Sequence, residues 1–421
     1  MAQAALRGDG HVLGELASGL IRVERDNLVE RPWGGAWIER FKRFRAAGGG
    51  PYGEAFEISA YDADDEAARY PSRVRFDDGS AVDLPSLLKA QGGALLGRDF
   101  IGTYGACFPL LPKTLDVKEL LSVQGHPPGH TEVYIIIDAE PGATLRLGFN
   151  RDIDPDETAR ELSRGIEQQD RLLELLGRDA DVVALQRIVA PWLAARDADA
   201  TAIVAGLEAI GGHPAGIATS LLSELKDLYW RVLDSMNAVN VEPGQVIHNS
   251  TPKRLLPDGG GEASSEVHSL GNPQGREILV LEIRRPGPTF RTWDNVRFPK
   301  RAVDVRAAID VLNLRATAAE EFIPELRPVP GRNGAFVSVD SSYFRVEHLR
   351  PDSARAVGVP ASEPHSLHCL AGSVELSTDD GRGIGRLQRG ESALVPLGVG
   401  AYRVESADGA HVVRAMLPAS R

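Results

Sequence analysis

The segment LLSVQGHPPGHTEVYIII, residues 120–137, concentrates side chains that could bind a metal ion. If its first half is a β-strand, Gln124 and His126 are two residues apart and point to the same face. A PPG turn follows, and a returning strand can bring Glu132 to that side because neighbouring strands lie only about 5 Å apart. An amide oxygen, an imidazole and a carboxylate would then converge, a mixed set that suits Zn²⁺ and other first-row ions.

These ligands need strands on both sides of the turn, and the surrounding sequence predicts strands. Residues 1 to about 150 place Gly and Pro between short apolar runs such as FEISAY (56–61) and VYIII (133–137). Further along, VNVEPGQVIH (239–248) and EILVLEI (277–283) again have the composition of strands. We therefore predict a mainly β architecture around the candidate ligands.

The segment from Asp154 to about Met236 has a different pattern, because apolar residues recur every three or four positions. Runs such as DETARELSRGIEQQDRLLELL predict amphipathic helices. Asp154 and Pro155 supply an N-cap and a proline for the first turn. Strands precede and follow this segment, so it is predicted to be a helical insertion within, or a companion to, the β-architecture.

The tail from about 335 to 421 contains YFRVEHL, SLHCLAGSVELS and AYRVESA, which are short candidate strands separated by Gly turns. This pattern predicts a separate small β-sandwich or barrel. His365 and His368 stand at one of these strands. The tail lacks the paired histidines and following glutamate of a metal-binding barrel, so both are interpreted as structural.

Bulk properties exclude several classes of protein. A length of 421 residues predicts two or three domains, and a net charge of −12 argues against a general nucleic-acid binder. No apolar run reaches the ~20 residues needed to span a bilayer, and Arg7 and Asp9 interrupt any signal peptide. Cys107 and Cys369 match no disulfide framework or paired ligand spacing. We expect a cytoplasmic protein without nucleic-acid or membrane partners; its oligomeric state stays open.

Several segments, in order, resemble the type I mannose-6-phosphate isomerases, also called phosphomannose isomerases. FPLLPKTLDVKELLSVQGHP (108–127) is similar to that family's apolar Pro-Lys-x-Leu-Asp run leading into Ser-x-Gln-x-His-Pro. RPWGG (31–35) and GEAFEIS (53–59) resemble its upstream segments, and HSLG (268–271) and TFRTWDNVR (289–297) its downstream segments. The likeness covers residues 30–300 in pieces.

The resemblance implies a fold of two cupin modules, which are jelly-roll β-barrels, with a helical domain inserted in the first. Applied to this sequence, it implies four divisions: residues 1–153 and 237–330 for the catalytic cupin barrel, 154–236 for the helical insertion and 331–421 for a C-terminal cupin-like barrel.

The family's metal ligands carry over to Gln124, His126, Glu132 and His268, which would hold one divalent ion, most simply Zn²⁺. The fourth position has an alternative, because His248 also follows a candidate strand. His268 is preferred since HSLG matches the family's motif and leads into EILVLEI, whereas HNSTP does not.

The implied reaction converts mannose 6-phosphate to fructose 6-phosphate by proton transfer between C1 and C2 through an enediol. This chemistry needs a base, an electrophile and a phosphate site. Arg291 is expected to stabilise the enediolate by its fixed charge. Proton transfer is assigned to His130, Glu282 or Asp294. The basic residues expected to gather the phosphate are Lys113, Lys253 and Arg254, with Arg284 and Arg285.

Two positions depart from the family's pattern. His130 stands where the family usually has lysine, and Gly287 where it often has aspartate. Because both touch expected proton-transfer or sugar-binding positions, the metal site can survive while the activity changes. The alternatives are a non-catalytic or divergent metal-binding cupin that binds a sugar or sugar phosphate, and a metal cupin enzyme acting on an unphosphorylated sugar or small acid.

Overall fold

The computed structural model describes residues 1–61, 69–177, 180–210, 217–250, 266–360 and 362–418, with only the backbone given for residues 217 and 218. Helices make up 30% of the chain and strands 31%. The architecture is therefore mixed α and β, with more helix than the mainly β fold with an inserted helical domain that the sequence predicted.

Much of the additional helix lies before residue 105, in a stretch that the Gly and Pro punctuation predicted to be strands. In α4 the buried leucines, among them Leu84, Leu87, Leu88 and Leu95, follow helical spacing. The other helices of this stretch are short, so their apolar period is too brief to show in the sequence. The described helices of this stretch are α1 (Ala2–Arg7), α2 (Gly10–Ser18), α3 (Trp37–Lys42), α4 (Leu84–Leu95) and α5 (Arg98–Tyr104).

The remaining elements alternate between sheet and helix along the chain. The later helices are α6 (Pro155–Leu176), α7 (Val182–Ala194), α8 (Thr201–Ile210), α9 (Ile217–Asp234) and α10 (Val305–Val311). The strands are β1 (Ile21–Arg22), β2 (Leu28–Gly35), β3 (Tyr52–Phe56), β4 (Arg73–Arg75), β5 (Ala81–Asp83), β6 (Leu111–Val117), β7 (Val123–Gly125), β8 (Glu132–Ala139), β9 (Thr144–Phe149), β10 (Met236–Asn240), β11 (Val246–Asn249), β12 (His268–Ser269), β13 (Ile278–Arg284), β14 (Phe290–Trp293), β15 (Arg327–Pro328), β16 (Ala335–Asp340), β17 (Arg345–Leu349), β18 (Val357–Val359), β19 (His365–Ala371), β20 (Ser373–Thr378), β21 (Gly383–Gln388), β22 (Ser392–Val395), β23 (Tyr402–Glu405) and β24 (His411–Met416).

Two antiparallel sheets form the first β-sandwich. One has the strand order β11-β8-β13-β6-β2-β3 and the other β10-β9-β12-β7-β14. Val280 and Ile136 of the first sheet share a hydrophobic core with Leu145 and Leu147 of the second. Every residue of β13 is buried, which explains why ILVLEI shows no alternation of apolar and polar residues.

A second sandwich is built from the C-terminal strands, with the N-terminal strand β1 at one edge. Its sheets have the orders β1-β22-β19-β24-β17-β16-β15 and β18-β23-β20-β21, and Leu367 and Val374 contribute to the core between them. The other face of the first sandwich packs against this unit, because Ile135 and Leu281 lie in one hydrophobic cluster with Phe344.

The two histidines interpreted as structural are buried in the second sandwich. His365 Nε2 lies 2.7 Å from the Tyr402 hydroxyl, and His368 Nδ1 lies 2.8 Å from Ser392 Oγ. Each ring is thus held by hydrogen bonds within the second sandwich.

The chain leaves the first sandwich after β9, forms helices α6 to α9, and returns to it at the neighbouring strand β10. The helices lie between β9 and β10, which pair with each other antiparallel. The Asp154 side chain accepts from the Glu157 amide at 2.8 Å and caps α6, as the sequence predicted. In the described part of the chain, no helix has the length and apolarity to cross a membrane.

A buried ion pair lies where the two sandwiches meet. Lys42 Nζ lies 2.6 Å from Glu57 Oε2, and both side chains are 3% exposed. Ser392 of the second sandwich donates to the same carboxylate oxygen at 2.8 Å, and Thr114 of the first donates to its Oε1 at 2.6 Å. The Glu57 carboxylate is thus the shared acceptor of the interface.

Replacing Glu57 with alanine should destabilise the protein strongly, because the Lys42 ammonium stays buried without its partner. The expected loss is about 3–5 kcal/mol in the free energy of unfolding, measured by urea denaturation. As a control, Glu375→Ala removes the carboxylate of the exposed Arg386–Glu375 pair and should cost less than about 1 kcal/mol. Equal effects of the two changes would show that the buried pair does not hold the interface.

Candidate metal centre

The candidate ligands come from both sheets of the first sandwich. Gln124 lies on β7, and His268 on β12 is its direct cross-strand neighbour. Glu132 begins β8 in the facing sheet. We expected β7 and β8 to pair as a hairpin; instead, the turn carries the chain from one sheet to the other. Two prolines in that turn lack the N–H groups needed to extend a ladder, so the ligands converge between the sheets.

Three predicted ligands form a compact buried cluster. His126 Nε2 lies 2.9 Å from Glu132 Oε1, and His268 Nε2 lies 3.4 Å from Glu132 Oε2. The donor atoms of these three residues all lie within 4.8 Å of one another. Each side chain is at most 2% exposed. The structure therefore brings His126, Glu132 and His268 together as the sequence predicted.

Gln124 is also placed at this cluster. Its Nε2 lies 3.2 Å from His268 Nε2, while its Oε1 accepts from Ser122 Oγ at 2.9 Å. Amide oxygen and nitrogen exchange places by rotation of the terminal group. Rotation of the Gln124 amide would present its oxygen to the shared centre.

The hydrogen bonds of the two imidazoles suit metal binding. His126 Nδ1 lies 3.0 Å from the Pro288 carbonyl, and His268 Nδ1 lies 3.0 Å from the Glu266 carbonyl. A proton on each Nδ1 donates to these carbonyls and leaves the Nε2 lone pair directed at the centre. The residues present therefore fit a divalent ion.

The charge state of the cluster also fits a cation. Burial would raise the pKa of Glu132, but the adjacent His126 and His268 hold it well below its ordinary value. Burial lowers the pKa of His268 to about 4, so its imidazole is neutral at neutral pH. An ionised carboxylate and a neutral imidazole are the forms that bind metal ions.

Two further residues at the cluster were not predicted from the sequence, namely Tyr134 and Asn249. The Tyr134 hydroxyl donates to Glu132 Oε2, and Asn249 Nδ2 lies 2.9 Å from His268 Nδ1. Tyr134 could have been found, because it lies two residues after Glu132 on the same strand face. Asn249 could not, since its position depends on the pairing of β11 with β8.

The alternative ligand, His248, is not part of the cluster. It precedes Asn249 on β11, so its side chain points to the opposite face of the sheet. There its ring lies edge-on to Phe344, with the ring centroids 6.4 Å apart. Burial lowers the pKa of His248 to about 4. The structure thus places His268, and not His248, beside Glu132.

A row of alternating charges runs from the cluster across the first sheet. Arg284 Nε lies 3.6 Å from Glu132 Oε1 and 3.7 Å from Glu282 Oε2. Lys113 Nζ lies 2.8 Å from Glu282 and 3.3 Å from Glu54. Against the effect of burial, these two carboxylates raise the pKa of Lys113. Lys113, expected at a phosphate, is thus buried between carboxylates.

The other predicted residues lie in different surroundings. Arg291 on β14 is the cross-strand neighbour of Gln124, which places the two side chains on one face. Asp294, a candidate for proton transfer, is bound by Arg301, whose Nε lies 3.0 Å from both carboxylate oxygens. Two of the residues expected at the phosphate lie outside the described part of the chain, namely Lys253 and Arg254.

His130 and Gly287, the two positions that depart from the family pattern, are in contact with each other. A Cβ atom added to Gly287 would lie 2.2 Å from His130 Cδ2 and 2.4 Å from His130 Nε2. The His130 ring therefore occupies the space that any larger residue at 287 would need. Burial, together with the charge of Arg285, lowers the pKa of His130.

A cleft of about 860 Å³ lies away from this cluster. It is bordered by α7 and by residues such as Leu120 and Asn295. Leu120 precedes β7, whereas His126 follows that strand. Asn295 follows β14, whereas Arg291 lies near the start of that strand. Its size alone therefore does not associate it with the candidate ligands.

The ligand assignment predicts opposite effects on zinc binding when His268 or His248 is replaced. His268→Ala should lose most of the zinc bound by the wild-type protein, because one donor of the set is removed. His248→Ala should retain it, since that ring faces Phe344. Glu132→Ala should empty the site. Zinc per chain is measured by elemental analysis after dialysis; retention by the His268 variant and loss by the His248 variant would reverse the assignment.

The contact at Gly287 predicts strong coupling with His130. Gly287→Ala should lower the free energy of unfolding by about 1–3 kcal/mol, because the new methyl group overlaps the ring. The same change made together with His130→Ala should cost much less. A double-mutant cycle measured by thermal unfolding gives the coupling, and additive effects would argue against the contact.

No protein-family model matches the chain, and a search of curated proteins finds no similar sequence. Solved structures with a similar fold include mannose 6-phosphate isomerase from Bacillus subtilis, with 16% identity and a TM-score of 0.62 over 95% of this chain and 100% of that one. A putative mannosephosphate isomerase from Archaeoglobus fulgidus has 18% identity and a TM-score of 0.57, with 95% and 98% covered. A mannose 6-phosphate isomerase bound with zinc and yttrium has 14% identity and a TM-score of 0.59, with 94% and 99% covered. The fold of this chain is therefore that of the mannose 6-phosphate isomerases, as its motifs indicated.

Proposed function

We propose that the protein is a metal-dependent aldose–ketose isomerase that converts mannose 6-phosphate to fructose 6-phosphate. The observation that carries this proposal is the buried cluster of His126, Glu132 and His268, with Gln124 beside it, in the fold of the mannose 6-phosphate isomerases. The low identities leave the substrate to be tested.

We also propose two cupin modules, of which the first is divided into residues 1–153 and 237–330 by a helical domain at 154–236. The second would comprise residues 331–421. The two pairs of packed sheets, and the pairing of β9 with β10 around helices α6 to α9, support this division. Two short strands cross its bounds, because β1 and β15 pair within a sheet of the second sandwich.

We assign the cluster to one divalent ion, most simply zinc. Its mixed nitrogen and oxygen donors suit that ion, and one protein of similar fold was crystallised with zinc. When bound, a divalent ion supplies Lewis-acid polarisation of the sugar carbonyl.

The chain's own residues would supply the remaining functions. Arg291, beside Gln124, would stabilise negative charge on the enediolate. His130 would exchange the proton, because it is a half-buried imidazole on the turn between His126 and Glu132. Glu282 is a second carboxylate near the cluster, and burial raises its pKa. Asp294 is engaged by Arg301, so we assign it a positioning role.

The contact between His130 and Gly287 favours one alternative. Because neither the lysine nor the aspartate of the family pattern is present, the chain could bind a sugar or sugar phosphate without turning it over. Metal in the purified protein without turnover of any hexose phosphate would support this alternative.

The proposed activity is tested by following fructose 6-phosphate formation from mannose 6-phosphate, before and after treatment with a chelator. Activity should disappear with the metal and return when zinc is added. Arg291→Ala should keep the zinc and lower kcat by about 10²–10³-fold, because a fixed charge at the transition state is lost. Arg315→Ala, which removes a guanidinium with 76% exposure, is the control and should change neither quantity.

A further inference from the structure

Two cations in the row beside the candidate ligands are already neutralised. Arg284 lies between Glu132 and Glu282, and Lys113 lies between Glu282 and Glu54. Both cations are buried as well as paired. Neither is suited to capture a phosphate group, because binding would require breaking a buried ion pair.

Arg285 differs from these cations. It is half-buried and, among the residues that the structure describes, no carboxylate lies within ion-pairing distance of it. It follows Arg284, the last residue of β13, whose Nε lies 3.6 Å from Glu132. Arg285 also lies two residues before Gly287, which is in contact with the His130 ring on the turn after His126.

The second sandwich supplies the surface on which Arg285 rests. The guanidinium carbon lies 6.0 Å from the centre of the Tyr343 ring, within the range of a cation–π contact. Tyr343 belongs to the turn between β16 and β17, where Ser341 Oγ accepts from the Tyr343 and Phe344 amides at 3.2 Å. This turn is therefore rigidly held.

The same tyrosine also packs on the turn that carries the ligands. A Cβ atom added to Gly129 would lie 3.3 Å from Tyr343 Cε1. Gly129 has φ of +86°, a conformation that glycine adopts without strain. The second sandwich thus reaches the turn between His126 and Glu132.

We propose that Arg285, held against Tyr343 of the second sandwich, binds the phosphate group of the substrate. This inference rests on the proposed function and specifies where the substrate's anionic end is held. A guanidinium supported by an aromatic ring keeps its N–H edge available for a two-point hydrogen bond to phosphate. A hexose 6-phosphate carries its phosphate at the far end from the carbonyl carbon, which suits a cation at the rim rather than within the cluster.

The assignment is tested by titrating the zinc-loaded protein with mannose 6-phosphate, mannose and inorganic phosphate in a calorimeter, alongside steady-state kinetics. Arg285→Gln should weaken mannose 6-phosphate binding and raise its KM by roughly 10- to 100-fold, because a charge-assisted contact is lost. Binding of mannose and kcat should change little. Arg285→Lys keeps the positive charge but loses the planar guanidinium that donates two hydrogen bonds, so its KM for mannose 6-phosphate should lie between those of wild type and Arg285→Gln.

Two further variants separate the contact from effects on folding. Tyr343→Leu should raise KM while Tyr343→Phe should not, because phenylalanine keeps the ring on which Arg285 rests. Arg350→Gln is the matched control, since Arg350 lies over the Phe336 ring at 5.5 Å in the second sandwich, and it should leave KM unchanged.

The outcomes distinguish this inference from the proposed function. If the wild-type enzyme isomerises mannose 6-phosphate and Arg285→Gln keeps its KM, the phosphate is held elsewhere and the inference is wrong, while the proposed function stands. If the protein binds mannose 6-phosphate through Arg285 without converting it, the inference stands and the proposed reaction is wrong. A wild-type protein that binds neither mannose 6-phosphate nor inorganic phosphate would overturn the assignment of Arg285.

Discussion

The buried carboxylate of Glu132 is the group on which the candidate site depends. Desolvation of an isolated carboxylate opposes folding, so its ionised form persists only where positive or polar groups compensate it. His126, His268 and Arg284 surround it, and each lies within 3.6 Å of one of its oxygens. A divalent cation would complete this compensation. The electrostatic requirement of one side chain therefore explains why the site is shaped for a cation.

That carboxylate also determines how the first sandwich must be assembled. Its imidazole partner His268 comes from β12 in the facing sheet, so the ligands converge only when the two sheets pack on their common core. The row from Glu132 through Arg284 and Glu282 to Lys113 crosses three neighbouring strands of one sheet. Alternation of charge along this row lets several ionised groups be buried together. The apolar core and the polar row are thus two parts of one architecture.

Local periodicity was enough to predict the parts of the site that lie on one strand or one turn. Gln124 and His126 share a face because they are two residues apart, and Glu132 is only one turn away. His268 was selected by a motif, since a histidine 144 positions from Gln124 in sequence cannot be placed by spacing. Local pattern could not show that β7 and β8 belong to facing sheets, because strand pairing is a property of the whole fold. The short N-terminal helices were missed for a related reason, as their apolar period is too brief to recognise.

The contact between His130 and Gly287 changes how the two departures from the family pattern are understood. In the sequence they are separate replacements of a lysine and an aspartate, whereas in the structure the His130 ring fills the space beside Gly287. Burial and the charge of Arg285 lower the pKa of His130 and so favour its neutral form. In the proposed function, metal binding would depend on His126 and Glu132 at the two ends of this turn, while His130 between them would act on the substrate. The metal and the substrate would therefore depend on different residues of one turn.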